Sequence, residues 1–233
     1  MFGGLINRIV QQLGSGCEMD EKDILTDHII KLRLNDAQAI IEQWIKSNGG
    51  QSLFIDLIEP ILADIGERYN NRQISLAQIY IAAKIARDWI SRYEKELETN
   101  ELNATKGPVV IANIEDDCHP LGRRLVCSFL RVSGWNVCDL GIDVPIKEIV
   151  NKAVEIEARV IGVSAMIYTT AENIRTLKDE IITRNLDGKI KIAAGGAVFR
   201  LRPELVAEVG ADGTSMTASE APELFDRLWK MTL

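Results

Sequence analysis

The chain has 233 residues, 46% of them hydrophobic, with 27 Lys and Arg against 34 Asp and Glu and a formal net charge of −7. That is enough apolar material for one large domain or two modest ones, each with its own core. The acidic balance excludes a protein built to grip a nucleic-acid backbone, which needs a basic face, and no apolar run reaches membrane-spanning length.

Residues 1–19 begin MFGGLINRIVQQLGSGC, with Phe2, Leu5, Ile6, Ile9, Val10 and Leu13 forming an apolar stripe. A basic stretch followed by a continuous apolar run is missing. The segment therefore reads as an amphipathic N-terminal helix, not a signal peptide. Residues 20–97 read as helices throughout. Asn35 is placed as the N-cap of DAQAIIEQWIKSNGG, which ends on a glycine pair. Phe54, Leu57, Ile58, Ile61, Ile65 and Tyr69 then recur at helical spacing, with a kink expected at Pro60. Ser75 caps a last helix that carries Leu76, Ile79, Tyr80, Ala83, Ala86 and Ile90 on one face. Four helices with short connections predict a helical-bundle domain over 20–97. A linker follows at 98–107, where charge gives way to Asn, Thr, Gly and Pro.

From residue 108 the pattern alternates. Short apolar strands are predicted at 109–114, 136–140, 160–164, 190–194 and, weakly, 211–214. Helices are predicted between and after them at 120–133, 146–157, 171–185, 203–209 and 219–231. Such alternation means βαβ units and a parallel sheet. The fold class is α/β: a four-helix-bundle cap followed by a flavodoxin-like, Rossmann-like five-stranded parallel sheet, strand order 2-1-3-4-5, over 108–233. No GxGxxG follows the first strand, which disfavours a dinucleotide site.

Cys17, Cys118, Cys127 and Cys138 form no CxxC pair, and His and Cys are too few at ligand spacing for a zinc site. A reduced, cytoplasmic protein is the natural reading.

Open α/β sheets bind ligands beyond the carboxyl ends of their strands, at the switch point. Asp117, His119 and Gly122 come after the first strand, Ser164, Thr169 and Thr170 after the third, and Gly195 and Gly196 after the fourth. In the predicted order these three strands are neighbours, so the sets share one edge. Each set alone is unremarkable: a capping histidine, hydroxyls that cap a helix, a tight glycine turn. Together they describe a glycine-floored, hydroxyl-lined groove with an imidazole at its mouth. Asp117 is close enough in sequence to orient His119, as carboxylates do for metal-bound imidazoles. A two-component receiver shares the acidic cluster. It also needs an Asp ending strand 3 and a Lys after the last strands, and GVSAM and GTSMTAS supply neither.

The residues resemble a known family. DCHPLG (Asp117, His119, Gly122) is similar to the DxHxxG signature of cobalamin-binding modules, SAM (Ser164, Met166) to their SxL element, and Gly195–Gly196 to their third element. The likeness is to corrinoid proteins of methyltransferase systems and to the cap and cobalamin module of methionine synthase, over roughly residues 20–231. It implies base-off, His-on binding, with His119 as the lower ligand to cobalt and Asp117 hydrogen-bonded to it. It further implies that Thr170 stands for a serine extending this relay. The displaced nucleotide tail would pass Ser164 and Gly195–Gly196. IGERYNNRQISLAQIYIAAKIA resembles the cap over the corrin, with Tyr69, Leu76 and Ile79 at its upper face. Ile79 suits a methyl group; photoreceptor relatives that use adenosylcobalamin carry polar residues there. Met166 for Leu, and Ala77 for a proline common in methyl-carrier caps, depart from the pattern.

The resemblance implies a non-catalytic corrinoid subunit whose cobalt cycles between cob(I)alamin and methylcobalamin. Its partners would be a substrate-specific methyltransferase, an acceptor methyltransferase and a reductive activase, with no nucleic acid and no membrane. Glu115 and Asp116 are read as solvated. The alternative is a cobalamin-binding regulatory or storage protein without methyl transfer. A mutase subunit with adenosylcobalamin fits the cap less well.

Overall fold

Helical periodicity gives way to alternation shortly after residue 100, and the backbone follows it. The computed structural model describes residues 20–49, 52–99 and 104–232. The N-terminal stripe and Cys17 lie outside the described residues. Two compact units result, Met1–Ala82 and Ala83–Leu233.

The first unit holds helices α1 (Glu21–Ile30) and α2 (Leu34–Asn48), a π-helical stretch (Leu53–Ile58) running directly into α3 (Glu59–Asn70), and the start of α4 (Leu76–Thr99). Leu25, Ile29, Ala37, Ile41, Leu57, Ile61 and Ile65 are buried. Pro60 sits in the first turn of α3. Its ring excludes the carbonyl four residues back, and a widened turn ahead of it carries the helix through. Where a kink was expected at Pro60, the chain instead has a π-helical stretch just ahead of it. Ser75 caps α4 as expected: its Oγ accepts from the Gln78 N–H (3.3 Å), while Gln78 Oε1 accepts from the Ser75 N–H (2.8 Å).

Two expectations need correction here. Asn35 is not the N-cap of α2; Arg33 is, because Leu32 takes a φ of 60° that closes the turn early. The expected face of α4 holds only in part: Ala86 is buried and Ile79 and Ala83 are half-buried, but its other described members, Leu76 and Tyr80, are exposed. Ala82 and Trp89 are buried as well. LAQIYIAAKIA is apolar nearly all round, so its period did not select one face. The side chains of Phe54 and Ile90 lie outside those described.

The second unit contains β1 (Lys106–Asn113), α5 (Pro120–Val132), β2 (Trp135–Asp139), α6 (Ile146–Glu155), β3 (Val160–Ser164), α7 (Tyr168–Thr183), β4 (Lys191–Gly195), α8 (Ala197–Leu201), α9 (Leu205–Glu208), β5 (Gly213–Thr214) and α10 (Ala221–Lys230). All pairings are parallel and the order is β2-β1-β3-β4-β5, as expected. The strands are apolar on both faces because helices cover both. Val110, Ala112, Ile161, Val163 and Ile192 pack in one cluster with α6 and α7. Val109, Ile111, Val160 and Ala193 pack in the other with α5 and α10. Differences from expectation are local. The α4 helix runs to Thr99 and β1 starts at Lys106, paired with Trp135. The α7 helix starts at Tyr168, a turn earlier than predicted, and α8 was not predicted. No described helix is long and apolar enough to cross a membrane.

Gly162 lies mid-strand in β3, where a Cβ would come 2.7 Å from Ile111 Cδ1 and 2.8 Å from Phe225 Cζ. Gly162→Ala is expected to cost about 1–3 kcal/mol by overpacking, read as a lower urea midpoint at unchanged m-value.

Candidate functional site

Three strand ends stand side by side at the carboxyl edge of the sheet. Asn113 of β1 is in register with Ser164 of β3, and Ser164 with Gly195 of β4. The chain passes from β1 to the edge strand β2 and returns to β3 on β1's other side. The β1–β3 edge is therefore the topological switch point.

The β1–α5 loop delivers the charged groups. Asp117 is 1% exposed, yet its carboxylate is fully engaged. Its Oδ1 accepts from the His119 backbone N–H (3.1 Å) and from the ring at Nδ1 (2.7 Å). Its Oδ2 accepts from Asn113 Nδ2 (2.9 Å). His119 occupies the N-cap position of α5, ahead of Pro120 at the first turn. The backbone there turns the ring outward, and its side chain is 62% exposed. With Nδ1–H committed to Asp117, the Nε2 lone pair is the free basic position.

Asp116 is exposed, in line with its reading as solvated, and Glu115 is half-buried; what this loop contributes comes chiefly from its backbone. Asp116 has φ 70° and Asp143 φ 52°. The Asp116 N–H donates to Asp143 Oδ1 (2.8 Å), and the Asp143 N–H donates to the Asp117 carbonyl (3.0 Å). Asn173 Nδ2 of α7 donates to the Glu115 carbonyl (2.9 Å). These contacts stitch the loops after β1 and β2 to each other and to α7. Aspartate tolerates the left-handed region better than most residues.

The glycines differ among themselves. A Cβ on Gly122 or Gly195 would meet nothing within 4 Å. Gly196 has φ 115°, and a Cβ there would fall 2.0 Å from the Ala165 carbonyl oxygen. Gly196 is thus required by the backbone, whereas Gly122 and Gly195 leave room. The Ser164 hydroxyl has no hydrogen-bond partner among the described residues. Met166 and Thr169 are exposed, and so are Ile167, Tyr168 and Met216 on the same edge.

Thr170 does not extend the relay. Its Oγ1 donates to the Ile167 carbonyl (2.9 Å) and closes the first turn of α7. The early start of that helix places Thr170 inside it. Asn113 takes the place intended for Thr170, and sequence reasoning missed it. The signal was present: one polar residue ends the otherwise apolar run VVIAN. Arg123 was missed too. It shares a face of α5 with Cys127 and Leu130, is 7% exposed, and donates through Nε to Asn113 Oδ1 (2.8 Å). Its Nη1 pairs with Asp139 at the end of β2. Tyr69, Leu76 and Ile79 lie on the helical unit, where Tyr69 and Leu76 are exposed and Ile79 is half-buried.

Residues 107–224 match the B12 binding domain family. The chain belongs to that family. A second B12 binding domain family, a helical one here, matches residues 22–94. Trimethylamine corrinoid protein 1 of Methanosarcina acetivorans is 30% identical over 196 residues, covering 82% of this chain and 87% of the relative. Its namesake in Methanosarcina mazei is 32% identical over 152 residues, covering 65% of this chain and 69% of the relative. The monomethylamine corrinoid protein of Methanosarcina barkeri has the same fold, with a TM-score of 0.76, 24% identity, and coverage of 88% of this chain and 96% of that one. The cofactor of this B12-binding protein is cobalamin. The edge residues fit such a group: an exposed imidazole with a free Nε2 suits a metal ion, and the space over Gly195 suits an approaching ligand.

Proposed function

We propose that this B12-binding protein holds cobalamin base-off and His-on, with His119 Nε2 as the lower ligand to cobalt. We propose further that it carries a methyl group between a substrate-specific methyltransferase and an acceptor methyltransferase. The observation that carries the reading is the buried Asp117 carboxylate fixed on Nδ1 of an exposed imidazole. That pairing sets the tautomer and the orientation of the ring, as outer carboxylates do for metal-bound histidines. The cofactor supplies the methyl-carrying chemistry, and the chain supplies ligation, orientation and shielding. Ser164, Gly195 and Gly196 would flank the displaced nucleotide tail. Gly122 would leave room beside His119, and Met166 and Thr169 would face the cofactor from the β3–α7 edge. Thr170 would support that edge from inside α7. From the helical unit, Tyr69, Leu76 and Ile79 are the proposed contacts for the corrin's upper face. No catalytic residue is assigned, and the chain works as a subunit in the cytoplasm beside a reductive activase.

The test is reconstitution with hydroxocobalamin, reduction to the cob(I)alamin state, and addition of a methylamine with its methyltransferase. The reading expects the visible spectrum of bound methylcobalamin to appear only with the partner present. Tight cofactor binding with no methylation by any methylamine or methanol methyltransferase would favour the regulatory or storage alternative.

A further inference from the structure

The Asp117–His119 pair is the exposed end of a longer buried chain of hydrogen bonds. Asp117 is 1% exposed, Asn113 0% and Arg123 7%. Groups this deep must satisfy one another, because water cannot. Asn113 makes three hydrogen bonds: Nδ2 donates to Asp117 Oδ2 (2.9 Å) and to the His119 carbonyl (3.0 Å), and Oδ1 accepts from Arg123 Nε (2.8 Å). A guanidinium only donates, so the face of Asn113 toward Arg123 must be its oxygen. The amide nitrogen is thereby fixed on the acid. Arg123 is itself anchored at Asp139, whose Oδ1 also accepts from the Gly141 N–H (3.0 Å).

We infer that Asn113 and Arg123 are positioning residues that set the tautomer and orientation of the His119 imidazole. The inference rests on the proposed role of His119. With Oδ2 clamped by Asn113, Asp117 cannot rotate about its terminal torsion, and Oδ1 stays on Nδ1. The second Nδ2–H grips the backbone of His119 itself, so one amide holds both the partner and the carrier of the ring. Arg123 keeps the amide from flipping; a flip would set an oxygen against the carboxylate. The result is a histidine held with Nδ1 protonated, the form a free side chain disfavours, and with Nε2 open for the metal. An adjoining strand end thus does what Thr170 was expected to do.

The experiment compares the full-length wild type with Asn113→Leu, which is close in size and has no donor. Nitrogen NMR of the histidine-labelled chain, without cofactor, reads the His119 tautomer directly. The cobalt(II) EPR spectrum of the cobalamin-loaded chain reads the fraction with imidazole nitrogen bound. Asn113→Leu is expected to lose the Nδ1–H tautomer as the dominant form and to lower His-on occupancy about tenfold, the lower end for partners of a metal ligand. An unchanged tautomer in a folded Asn113→Leu chain overturns the inference. Should that variant fail to fold, Arg123→Met decides in its place, since it leaves Asn113 and the acid intact. A smaller shift of the same sign supports the inference, and no shift overturns it. Wild-type cobalamin without histidine nitrogen on cobalt would sink the proposed function instead, because the tautomer is read without the cofactor.

Discussion

Gly196→Ala is expected to destabilise the sheet unit by about 3–5 kcal/mol, combining a backbone region nearly closed to side chains with overpacking. The new Cβ would fall 2.0 Å from the Ala165 carbonyl oxygen, and φ at Gly196 is 115°. The obstructing atom is backbone. Ala165 is itself held by its N–H donating to the Gly195 carbonyl (2.9 Å), so it cannot withdraw without breaking the β3–β4 edge. A urea titration followed by circular dichroism would read the loss. The adjacent residue gives the control. A Cβ on Gly195 meets nothing within 4 Å. Gly195→Leu should leave stability within about 0.5 kcal/mol of wild type while lowering cobalamin retention after gel filtration. Equal effects at both positions would contradict the assignment of one glycine to the backbone and the other to the ligand.

Asp117→Ala is expected to weaken cobalamin retention about 10–100-fold, the range for partners that orient a metal-bound histidine. It also strips three donors of their acceptor: the His119 N–H, the His119 ring and one N–H of Asn113. Unpaired buried donors cost about 1–3 kcal/mol each, and the exposed ring can turn to water. A stability loss of about 2–6 kcal/mol is therefore expected beside the binding defect. Asp117→Asn should keep more stability than Asp117→Ala, since its oxygen can still accept from His119. Its amide would then face the amide of Asn113, donor against donor, so binding should remain weakened. Thermal melts and equilibrium dialysis separate the two effects. Full retention of cobalamin by a folded Asp117→Ala chain would remove Asp117 from any role in binding.

The sheet was legible because its signals are redundant. VVIAN, VIGVS and KIAAG are short, apolar and separated by helix-length segments, and the parallel order follows from that alternation. The helical unit was legible in outline and misread in detail. The cap at Ser75 has a reciprocal Gln78 that its spacing announces, whereas α4 carries apolar residues nearly all round and so hid its buried face. At the site, Asp117, Ser164 and Gly195 stand on one edge as their positions after strands required. Asn113 escaped because the predicted strand ran one residue further, to Ile114, so the polar residue that ends β1 was read as interior. Arg123 escaped because the pair Arg123–Arg124 does not say which member turns inward; that depends on the angle at which α5 meets the sheet. Thr170 was assigned by likeness to a serine in relatives. The earlier start of α7 gave its hydroxyl a nearer acceptor, and local capping took precedence over the relay.

The direct test of the account is the EPR spectrum of the cobalt(II) form of the cobalamin-loaded chain, prepared once with natural histidine and once with histidine labelled with nitrogen-15. Ligation by His119 Nε2 predicts nitrogen splitting into triplets in the first sample and doublets in the second, with both patterns lost in His119→Ala. Triplets that persist in the labelled protein would mean that the cofactor's own base stays on cobalt, and the account would be wrong at its centre.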